Sequence, residues 1–273
     1  MKCDLHCHSY YSDGSCSPQE LVDEAVKAGF SGLSITDHDV LQSYPEALPY
    51  ATQQGILLIS GVELSTVCEE ESIHVLGYAF LPQDPALLEF CRIYRERREL
   101  RNQKILDNLK LHGIDVTMEE VKQLSPHATT YGRPHIALVM MKKGYVKTVF
   151  ESFSRYIGSG KSCYVAGEKW KTDEAIEAIH RAHGKAVLAH PHLIRNPPIV
   201  KKLLTMPFDG LEGFYSRASS HENHRWCRIA EERGWIVTGG SDFHGTVRPE
   251  VPFGAAWAPE EMVKRLLASE AHS

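Results

Sequence analysis

The feature that most constrains the fold is a regular alternation of two kinds of segment along the 273 residues. Short apolar runs rich in β-branched residues are typical of buried strands, and the amphipathic runs between them are typical of helices that end before a glycine. The apolar runs are Cys3–His6, Gly32–Thr36, Ile56–Val62, Ile73–Phe80, Ala186–Ala189, Gly210–Phe214 and Trp235–Thr238. This alternation predicts an α/β fold with parallel strands joined by crossover helices.

One long stretch breaks the alternation. From about residue 84 to residue 165 no strand pattern is present, and three or four helical patterns follow one another. We predict a β/α barrel-like body over residues 1–83 and 166–273, with an inserted helical segment over residues 84–165. Loops at the carboxyl ends of barrel strands tolerate such insertions because they lie outside the core.

Composition excludes several classes of protein. With 42% hydrophobic and 24% charged residues, the chain is neither disordered nor fibrous. No apolar run approaches the roughly 20 residues that span a bilayer, and the polar start lacks the core of a signal peptide. Seven cysteines without a Cys-x-x-Cys pair argue against disulfides and thiolate zinc, so we expect a soluble cytoplasmic protein. The net charge of −5 gives no overall attraction to nucleic acid, so an anionic ligand needs a local site.

Imidazole and carboxylate side chains are concentrated beside the predicted strands. The clusters are Asp4-Leu5-His6-Cys7-His8 with Asp13, Asp37-His38-Asp39, Glu63, His74, His190-Pro191-His192 and Asp242-Phe243-His244. Most of them fall where a strand ends, which is the face on which barrel enzymes place their chemistry. His74 is the exception, because it begins its predicted strand and so suggests an error in that boundary. Residues i and i+2 of a strand point to one side, so His6 and His8 can bind one metal ion.

Each cluster alone has an ordinary structural explanation. A lone residue such as His74 is more often a packing residue than a ligand, and the Asp-x-His at 242–244 also fits a turn. A metal centre is favoured because six strand-associated segments each supply His, Asp or Glu, and very few supply Lys. Such ligands suit Mn²⁺, Fe²⁺ or Zn²⁺, and the sequence alone does not choose among them.

In this order, the motifs resemble those of the PHP (polymerase and histidinol phosphatase) family of metal-dependent phosphoesterases. The resemblance is carried by Asp4-Leu5-His6-x-His8, Thr36-Asp37-His38, Ala189-His190-Pro191 and Ser241-Asp242-x-His244. Ser12-Asp13-Gly14, Glu63, Ile73-His74 and Gly132-Arg133-Pro134-His135 resemble the branch that includes 3′,5′-nucleotide bisphosphatases and 5′-to-3′ exoribonucleases. The family resemblance implies a distorted seven-stranded (β/α)7 barrel, here with the helical insertion as a lid over the active site.

The resemblance also implies a centre of three divalent metal ions, with Mn²⁺ expected first and Zn²⁺ or Fe²⁺ as alternatives. The implied ligands are His6, His8, Glu63 and Asp242 for one ion, Glu63, His74 and His190 for a second, and Asp13, His38 and His244 for a third. Glu63 would bridge the first two ions. Asp4, Asp37 and Asp39 are expected to accept hydrogen bonds from the ligand imidazoles and so fix their tautomers.

The implied reaction is attack on phosphorus by a hydroxide that the metal ions activate. The catalytic candidates are Glu63, His38, Asp37 and Asp242, with His192 or a water as proton donor to the leaving oxygen. The expected substrates are phosphate esters of nucleotides, namely 3′,5′-bisphosphate nucleotides or the 5′ ends of short RNA. Two alternatives stay open: a histidinol-phosphate phosphatase, and a non-catalytic binding module that the metal ions stabilise.

Cationic and aromatic residues near the motifs are candidates for binding a small phosphorylated substrate. They are Arg133 and His135 in the insertion, Lys161, Arg195 and Tyr215. The Lys161 segment is not a P-loop, and Tyr215 has a structural explanation of equal weight. The cations from Arg92 to Lys104 fit a solvated helix face better than an RNA contact. The sequence predicts no membrane association, and no stable protein partner can be read from it.

Overall fold

The computed structural model describes residues 1–268. Its strands are β1 (Lys2–Cys7), β2 (Gly32–Ile35), β3 (Leu57–Leu58), β4 (Gly61–Cys68), β5 (Glu71–Tyr78), β6 (Trp170–Lys171), β7 (Lys185–Leu188), β8 (Gly210–Tyr215), β9 (Ile236–Gly240) and β10 (Ala258–Pro259). Its helices are α1 (Pro18–Lys27), α2 (Ser43–Gln53), α3 (Pro85–Leu111), α4 (Met118–Leu124), α5 (Arg133–Lys142), α6 (Val149–Ser152), α7 (Thr172–Arg181), α8 (Pro197–Leu203), α9 (Ser220–Glu232) and α10 (Glu260–Leu267). The predicted α/β class is confirmed.

The strands form two mixed sheets. One has four strands in the order β10-β1-β2-β3, and the other has six in the order β6-β4-β5-β7-β8-β9. The apolar run Ile56–Val62 is divided between β3 and β4. The two-residue strands β6 and β10 were not predicted, because neither lies in an apolar run. Apolar side chains of both sheets pack against the helices, and Leu64, Val75 and Leu188 are among the fully buried ones.

Strand β5 runs antiparallel to both of its neighbours, so the expectation of parallel strands throughout is wrong. Only two residues separate β4 from β5, and Glu69 adopts a left-handed φ of 56°, which is the geometry of a tight hairpin. The sequence there, Glu69-Glu70-Glu71, contains no Gly or Asn to signal a turn. The reversal explains His74, because an antiparallel strand begins at the edge where its parallel neighbours end.

The two sheets meet at two places without forming a closed hydrogen-bonded barrel within residues 1–268. The chain after β9 pairs with β1 through Asp242 N–H to His6 O at 2.7 Å and His8 N–H to Phe243 O at 2.9 Å. At the other place, His38 forms an isolated parallel bridge with Glu63. Both junctions consist of residues from the predicted metal-binding motifs.

Residues 84–165 contain helices α3 to α6 and a π-helical turn at Phe153–Ile157, and no strand lies among them. Asp84 caps α3 by accepting from Leu87 N–H, and Thr117 and Glu120 form a reciprocal capping box on α4. The segment has an apolar cluster of its own, in which Ile105 and Ile136 are fully buried. It therefore packs as a unit beside the sheets.

Within the described residues no helix is long and apolar enough to cross a membrane. All seven cysteines are free thiols, and five of them are buried. Cys7, between two predicted ligands, points away from them and donates to Ser34 O at 3.4 Å.

Candidate metal centre

Glu63 lies at the centre of a buried group of imidazoles. Its Oε1 is 2.6 Å from His74 Nδ1 and 2.9 Å from His190 Nε2. Its Oε2 is 3.4 Å from His6 Nε2, 3.2 Å from His8 Nε2 and 3.2 Å from His38 Nδ1. Five imidazoles, from β1, β5 and the loops after β1, β2 and β7, thus surround one carboxylate.

Two more carboxylates flank this group. Asp242 Oδ1 is 3.5 Å from His6 Nε2 and 3.3 Å from His8 Nε2. Asp13 Oδ1 is 3.3 Å from His244 Nε2, and its Oδ2 is 3.9 Å from His38 Nε2. All nine predicted ligands are therefore brought together in one place.

Ligand atoms that lie within 4.8 Å of one another define three groups that could each hold a metal ion. They are His6, His8 and Glu63; His38, Glu63 and His74; and His8, Asp13, His38 and His244. The groups overlap the three predicted ligand sets but share residues differently, because His8 also faces Asp13 and His38 also faces Glu63.

The ring and carboxylate atoms of this centre fit metal ions. Buried His6 Nε2, His8 Nε2, His38 Nδ1, His244 Nε2 and Asp13 Oδ1 have no well-aligned hydrogen-bond partner among the described residues. Such atoms are costly to bury unless something binds them. Burial alone would raise the pKa of Glu63, but His38, His74 and His6 hold it well below its usual range, so the carboxylate is ionised. Burial lowers the pKa of His244, which leaves a neutral imidazole.

Backbone strain is concentrated at this centre. Six residues other than glycine have positive φ in the described chain, and three of them belong to the predicted motifs: Asp39 at 58°, His190 at 25° and Asp242 at 56°. Such conformations cost free energy and persist where the surroundings impose them. In these conformations His190 reaches Glu63, Asp242 faces His6 and His8, and Asp39 bonds to Ser65 and Arg98.

The structure differs from the predicted role of Asp4, Asp37 and Asp39, because within residues 1–268 their hydrogen-bond donors are groups other than imidazoles. Asp4 accepts from Ser241 N–H and Oγ–H and from Gly254 N–H. The oxygens of Asp37 accept from Ser9, Ser12 and Ser43, and those of Asp39 accept from Ser65 and Arg98. These carboxylates hold the loops that carry the ligands. An aspartate one or two residues from a histidine can equally well hold the turn in which that histidine lies.

Two residues that the sequence motifs did not indicate contact the predicted ligands. Glu212 is fully buried on β8, and its two oxygens accept from His6 Nδ1 at 2.9 Å and from His190 N–H at 2.7 Å. Arg248 donates to Asp242 Oδ2 at 2.9 Å. Glu212 was detectable as an acidic residue within an apolar strand run, whereas Arg248 lies in a loop without any motif.

Tyr215 and His192 lie beside the centre and contact each other. Tyr215 is 1% exposed, and its hydroxyl donates to Asp242 Oδ2 at 3.1 Å. His192 stacks on Tyr215 with ring centres 5.7 Å apart. The geometry favours a role for Tyr215 in positioning Asp242.

The predicted substrate-binding cations occupy three different places. Arg133, at the start of α5, donates to Ile157 O at 3.2 Å and stacks against Tyr164, while His135 is buried and accepts from Gly132 N–H. Lys161 is exposed in a turn after the π-helical segment. Arg195 is exposed and lines a groove with His192.

The cationic run on α3 is divided between two environments. Arg92 is exposed and pairs with Glu89 and Glu96, which is the solvated helix face that the sequence favoured. Arg98 and Arg101 face inward instead, and the Arg98 guanidinium bonds to Asp39 and to Ser65 Oγ. An interpretation of the whole run as solvent-exposed is therefore wrong for its inner half.

Comparison with known proteins agrees with this centre. A model of the PHP domain matches residues 4–212. A 5′-3′ exoribonuclease of Haemophilus influenzae is 36% identical over 248 residues, which are 89% of this chain and 90% of that protein. A 3′,5′-nucleoside bisphosphate phosphatase of Chromobacterium violaceum is 30% identical over 246 residues, which are 88% of this chain and 86% of that protein.

A solved structure from Bifidobacterium adolescentis, described as a metal-dependent phosphoesterase, superposes with a TM-score of 0.89 at 28% identity. The superposition covers 97% of this chain and 95% of that one. These relatives are named as phosphoester hydrolases, which confirms the enzyme class predicted from the motifs. Both the motifs and the residues matched place this chain in the PHP domain family.

Proposed function

We propose that the protein hydrolyses phosphate esters of nucleotides, with 3′,5′-bisphosphate nucleotides and the 5′ ends of short RNA as substrates. The observation that carries the proposal is the position of Glu63, whose two oxygens lie within 3.4 Å of five imidazoles. The relatives named an exoribonuclease and a nucleoside bisphosphate phosphatase supply the substrate class.

We propose three divalent metal ions, with Mn²⁺ first and Zn²⁺ or Fe²⁺ as alternatives. The three groups of adjacent ligand atoms support this number, and the ligands are imidazoles and carboxylates with no thiolate among them. Glu63 belongs to two of the groups, which supports its role as a bridging ligand.

When bound, such ions supply Lewis-acid activation of water and neutralise charge on the phosphate oxygens. The chain's own part is to hold their ligands rigidly. Tyr215 and Arg248 both donate to Asp242 Oδ2, which leaves Oδ1 facing His6 and His8. Asp37, which we predicted to be catalytic, has its oxygens occupied by three hydroxyl groups, a pattern that suits positioning of the loop at His38.

His192 is our candidate for moving a proton to the leaving oxygen. Burial lowers its pKa, so its imidazole is neutral near pH 7 and able to relay a proton. Its position against Tyr215, the residue that bonds Asp242, supports the assignment. Arg133, His135, Lys161 and Arg195 stay predictions as substrate-binding residues.

We propose that the helices of residues 84–165 act as a lid over the centre and that the two sheets form one distorted barrel. Tyr11 O accepts from Thr129 N–H at 2.9 Å, and Tyr10 stacks on His127 at 4.8 Å, so the insertion contacts the loop that carries Asp13. The bridges at His38–Glu63 and Cys7–Phe243 support the barrel. The free thiols support a location in the cytoplasm.

Hydrolysis by the Mn²⁺-loaded protein tests the proposal. Adenosine 3′,5′-bisphosphate, a 5′-phosphorylated short oligoribonucleotide and histidinol phosphate are assayed side by side. We expect turnover of the first two substrates. Asp242→Asn should lower the activity by more than about 100-fold, which exceeds the loss usual when a residue that hydrogen-bonds a metal ligand is replaced. Asp107→Asn, at an exposed position on α3, is the matched control.

Retained activity in Asp242→Asn would refute the metal mechanism. If only histidinol phosphate is turned over, the protein is a histidinol-phosphate phosphatase and the nucleotide substrates are excluded. No turnover of any of the three, with metal ions bound, would favour a non-catalytic binding module.

A further inference from the structure

A groove lies between helices α8 and α9, and we call it the α8–α9 groove. Pro197, Val200 and Lys201 line it from α8, and Arg225 and Trp226 line it from α9. Its volume of about 570 Å³ falls within the roughly 300–1,000 Å³ that is usual for ligand sites. None of the nine proposed metal ligands lines this groove, so it is a surface separate from the metal centre.

His192 connects the groove with the metal centre. It lines the groove, and its ring stacks on Tyr215, whose hydroxyl donates to Asp242. The ring centre of Tyr215 lies 5.7 Å from that of His192 and 5.7 Å from that of His190. A chain molecule with one phosphate at the metal centre can therefore continue past His192 into the groove.

The imidazole of His192 lacks hydrogen-bond partners within the described chain. The residue is 8% exposed, and neither Nδ1 nor Nε2 has a well-aligned partner among residues 1–268. A buried polar group normally has a partner, so such a ring indicates a bound molecule. A neutral imidazole donates through one nitrogen and accepts through the other, which suits a ribose hydroxyl or the edge of a base.

The exposed side chains of the groove are mostly cationic. They are Arg195, Lys201, Arg225 and Arg233. Within residues 1–268 none of the four forms an ion pair, whereas the neighbouring Lys202 pairs with Glu69. The carboxylate that lines the groove, Glu222, accepts from Ser219 N–H and Oγ–H. The groove is therefore positively charged on a chain whose net charge is −5.

Apolar side chains form the floor of the groove. Ile194, Val200 and Leu204 are partly buried there, and Trp226 is 3% exposed. A single-stranded nucleic acid matches both parts of this surface, because its bases offer apolar faces and its phosphates offer negative charge. An acidic peptide would satisfy the cations and leave the floor uncovered.

We propose that the α8–α9 groove binds the part of an RNA chain that extends beyond the metal centre. The bases lie on the apolar floor, the phosphates contact the cations, and His192 bonds to the nucleotide next to the centre. The proposal rests on the proposed function and adds to it a second binding surface, which only a substrate of several nucleotides can occupy. RNA and a bisphosphate mononucleotide are thereby held by different sets of residues.

The test compares two double variants that remove the same charge from the same part of the chain. Lys201→Gln with Arg225→Gln alters the groove, and Lys202→Gln with Arg228→Gln alters adjacent residues that do not line it. All four residues are exposed, so both variants should fold. With Mn²⁺ bound, kcat/KM is measured for 5′-phosphorylated hexa-adenylate and for adenosine 3′,5′-bisphosphate.

We expect the groove variant to lower the ratio of RNA to bisphosphate turnover on the order of tenfold at 0.1 M salt. Each lost phosphate contact weakens single-strand binding several-fold at this salt concentration, so the effect should fall mainly on KM for RNA. The control variant should keep the wild-type ratio. An equal ratio in the two variants would overturn the proposal.

Binding without catalysis separates this proposal from the proposed function. Hexa-adenylate with a fluorescent 3′ label is titrated with the metal-free protein in EDTA, and its anisotropy is followed at several salt concentrations. The groove variant should reduce the slope of log affinity against log salt by about 1.4, which is two contacts of about 0.7 each. The control variant should keep the wild-type slope.

Two results of this titration would refute the groove as an RNA site. One is a wild-type slope in the groove variant or no binding by the wild-type protein. The other is equal competition by poly-glutamate of the same charge, which would identify a site for acidic peptides. Absence of turnover with Mn²⁺, when RNA binding depends on the groove as expected, would refute the proposed function instead.

Discussion

At the scale of single residues, Glu212 connects parts of the metal centre that are distant in sequence. One carboxylate oxygen accepts from His6 Nδ1, which leaves Nε2 of that ring directed toward Glu63 and Asp242. The other oxygen accepts from the backbone N–H of His190, whose φ of 25° is strained. Glu212 therefore fixes both the tautomer of one proposed ligand and the backbone of another.

Replacing Glu212 by glutamine should weaken metal binding by about 10- to 100-fold, the loss usual when such an orienting carboxylate is removed. The measurement is the Mn²⁺ content of the protein after equilibrium dialysis at a series of Mn²⁺ concentrations. Glu232→Gln, at an exposed position in α9, is the control and should bind Mn²⁺ like the wild type. An unchanged Mn²⁺ affinity for Glu212→Gln would mean that His6 is oriented by packing alone.

Asp209, remote from the centre, gives a pH-dependent contribution to stability. Its Oδ2 accepts from Ala186 N–H at 2.7 Å and from His180 Nε2 at 2.8 Å. Burial raises the pKa of Asp209, but these bonds lower it below its ordinary value of about 3.9. A carboxylate with a lowered folded-state pKa stabilises the fold above its unfolded pKa and loses this effect as the pH falls.

Asp209→Asn should therefore lower the free energy of unfolding by about 1 kcal/mol at pH 7, the value of a hydrogen bond to a charged group at a partly exposed site. Urea denaturation at pH 7 and at pH 3.5 measures the change. The difference from the wild type should shrink at the lower pH. An equal difference at both pH values would show that the Asp209 charge is irrelevant.

At the scale of elements, the close approach of β9 to β1 determines where His6 lies. A Cβ on Gly240 would lie 2.3 Å from His6 Cβ and 2.4 Å from His6 N, so only glycine allows the two segments to touch. Gly29 offers a contrast, because no atom lies within 4 Å of its hypothetical Cβ. The centre thus depends on backbone contact as well as on its ligands.

Gly240→Ala should lower the free energy of unfolding by about 1–3 kcal/mol, the usual cost of an added methyl group in a packed core. It should also reduce Mn²⁺ content, because His6 must shift. Gly29→Ala, which carries only the cost of its left-handed φ of 70°, should keep its Mn²⁺ content. Chemical denaturation and metal analysis measure the two effects, and equal Mn²⁺ content in both variants would contradict the argument.

A cluster of imidazoles and carboxylates could be predicted from the sequence because such residues beside apolar runs form a pattern that few other structures require, and the resemblance to the PHP family implied the proposed ligand sets. The direction of β5 could not, because its two-residue turn consists of glutamates rather than glycine or asparagine. Two further contacts could not be predicted either. Glu212 is far in sequence from His6, which it contacts, and Arg248 lies in a loop without a periodic pattern. The roles of Asp4 and Asp37 were misjudged because spacing does not reveal whether a carboxylate meets a ring or a hydroxyl.

At the scale of the whole molecule, the centre joins the two sheets and so couples metal binding to folding. Its ligands come from both sheets and from the loops between them, and several of their atoms lack hydrogen-bond partners in the described chain. Ions that bind the folded chain and not the unfolded one stabilise it by mass action. Metal binding should therefore increase the stability of the entire fold.

Loading with Mn²⁺ at about 1,000 times its dissociation constant should add about 4 kcal/mol to the free energy of unfolding. For a chain of this length that corresponds to a rise in melting temperature on the order of 10 °C. Differential scanning calorimetry of the EDTA-treated and Mn²⁺-loaded protein measures the shift. Asp242→Asn should show a smaller one. Equal melting temperatures with and without Mn²⁺ would exclude a centre that joins the sheets.

The junction between β1 and the chain after β9 determines when the centre can form during synthesis of the chain. His6 leaves the ribosome early, yet Asp242 and the β10 residues that pair with Lys2 and Cys3 are made more than 230 residues later. Strand β2 is available soon after β1, but at roughly 5–20 residues per second the other edge of β1 waits between about ten and fifty seconds for its partners. During this interval the nine proposed ligands cannot come together, and no hydrolytic centre exists. The enzyme therefore becomes active only when nearly all of the chain described here has been made.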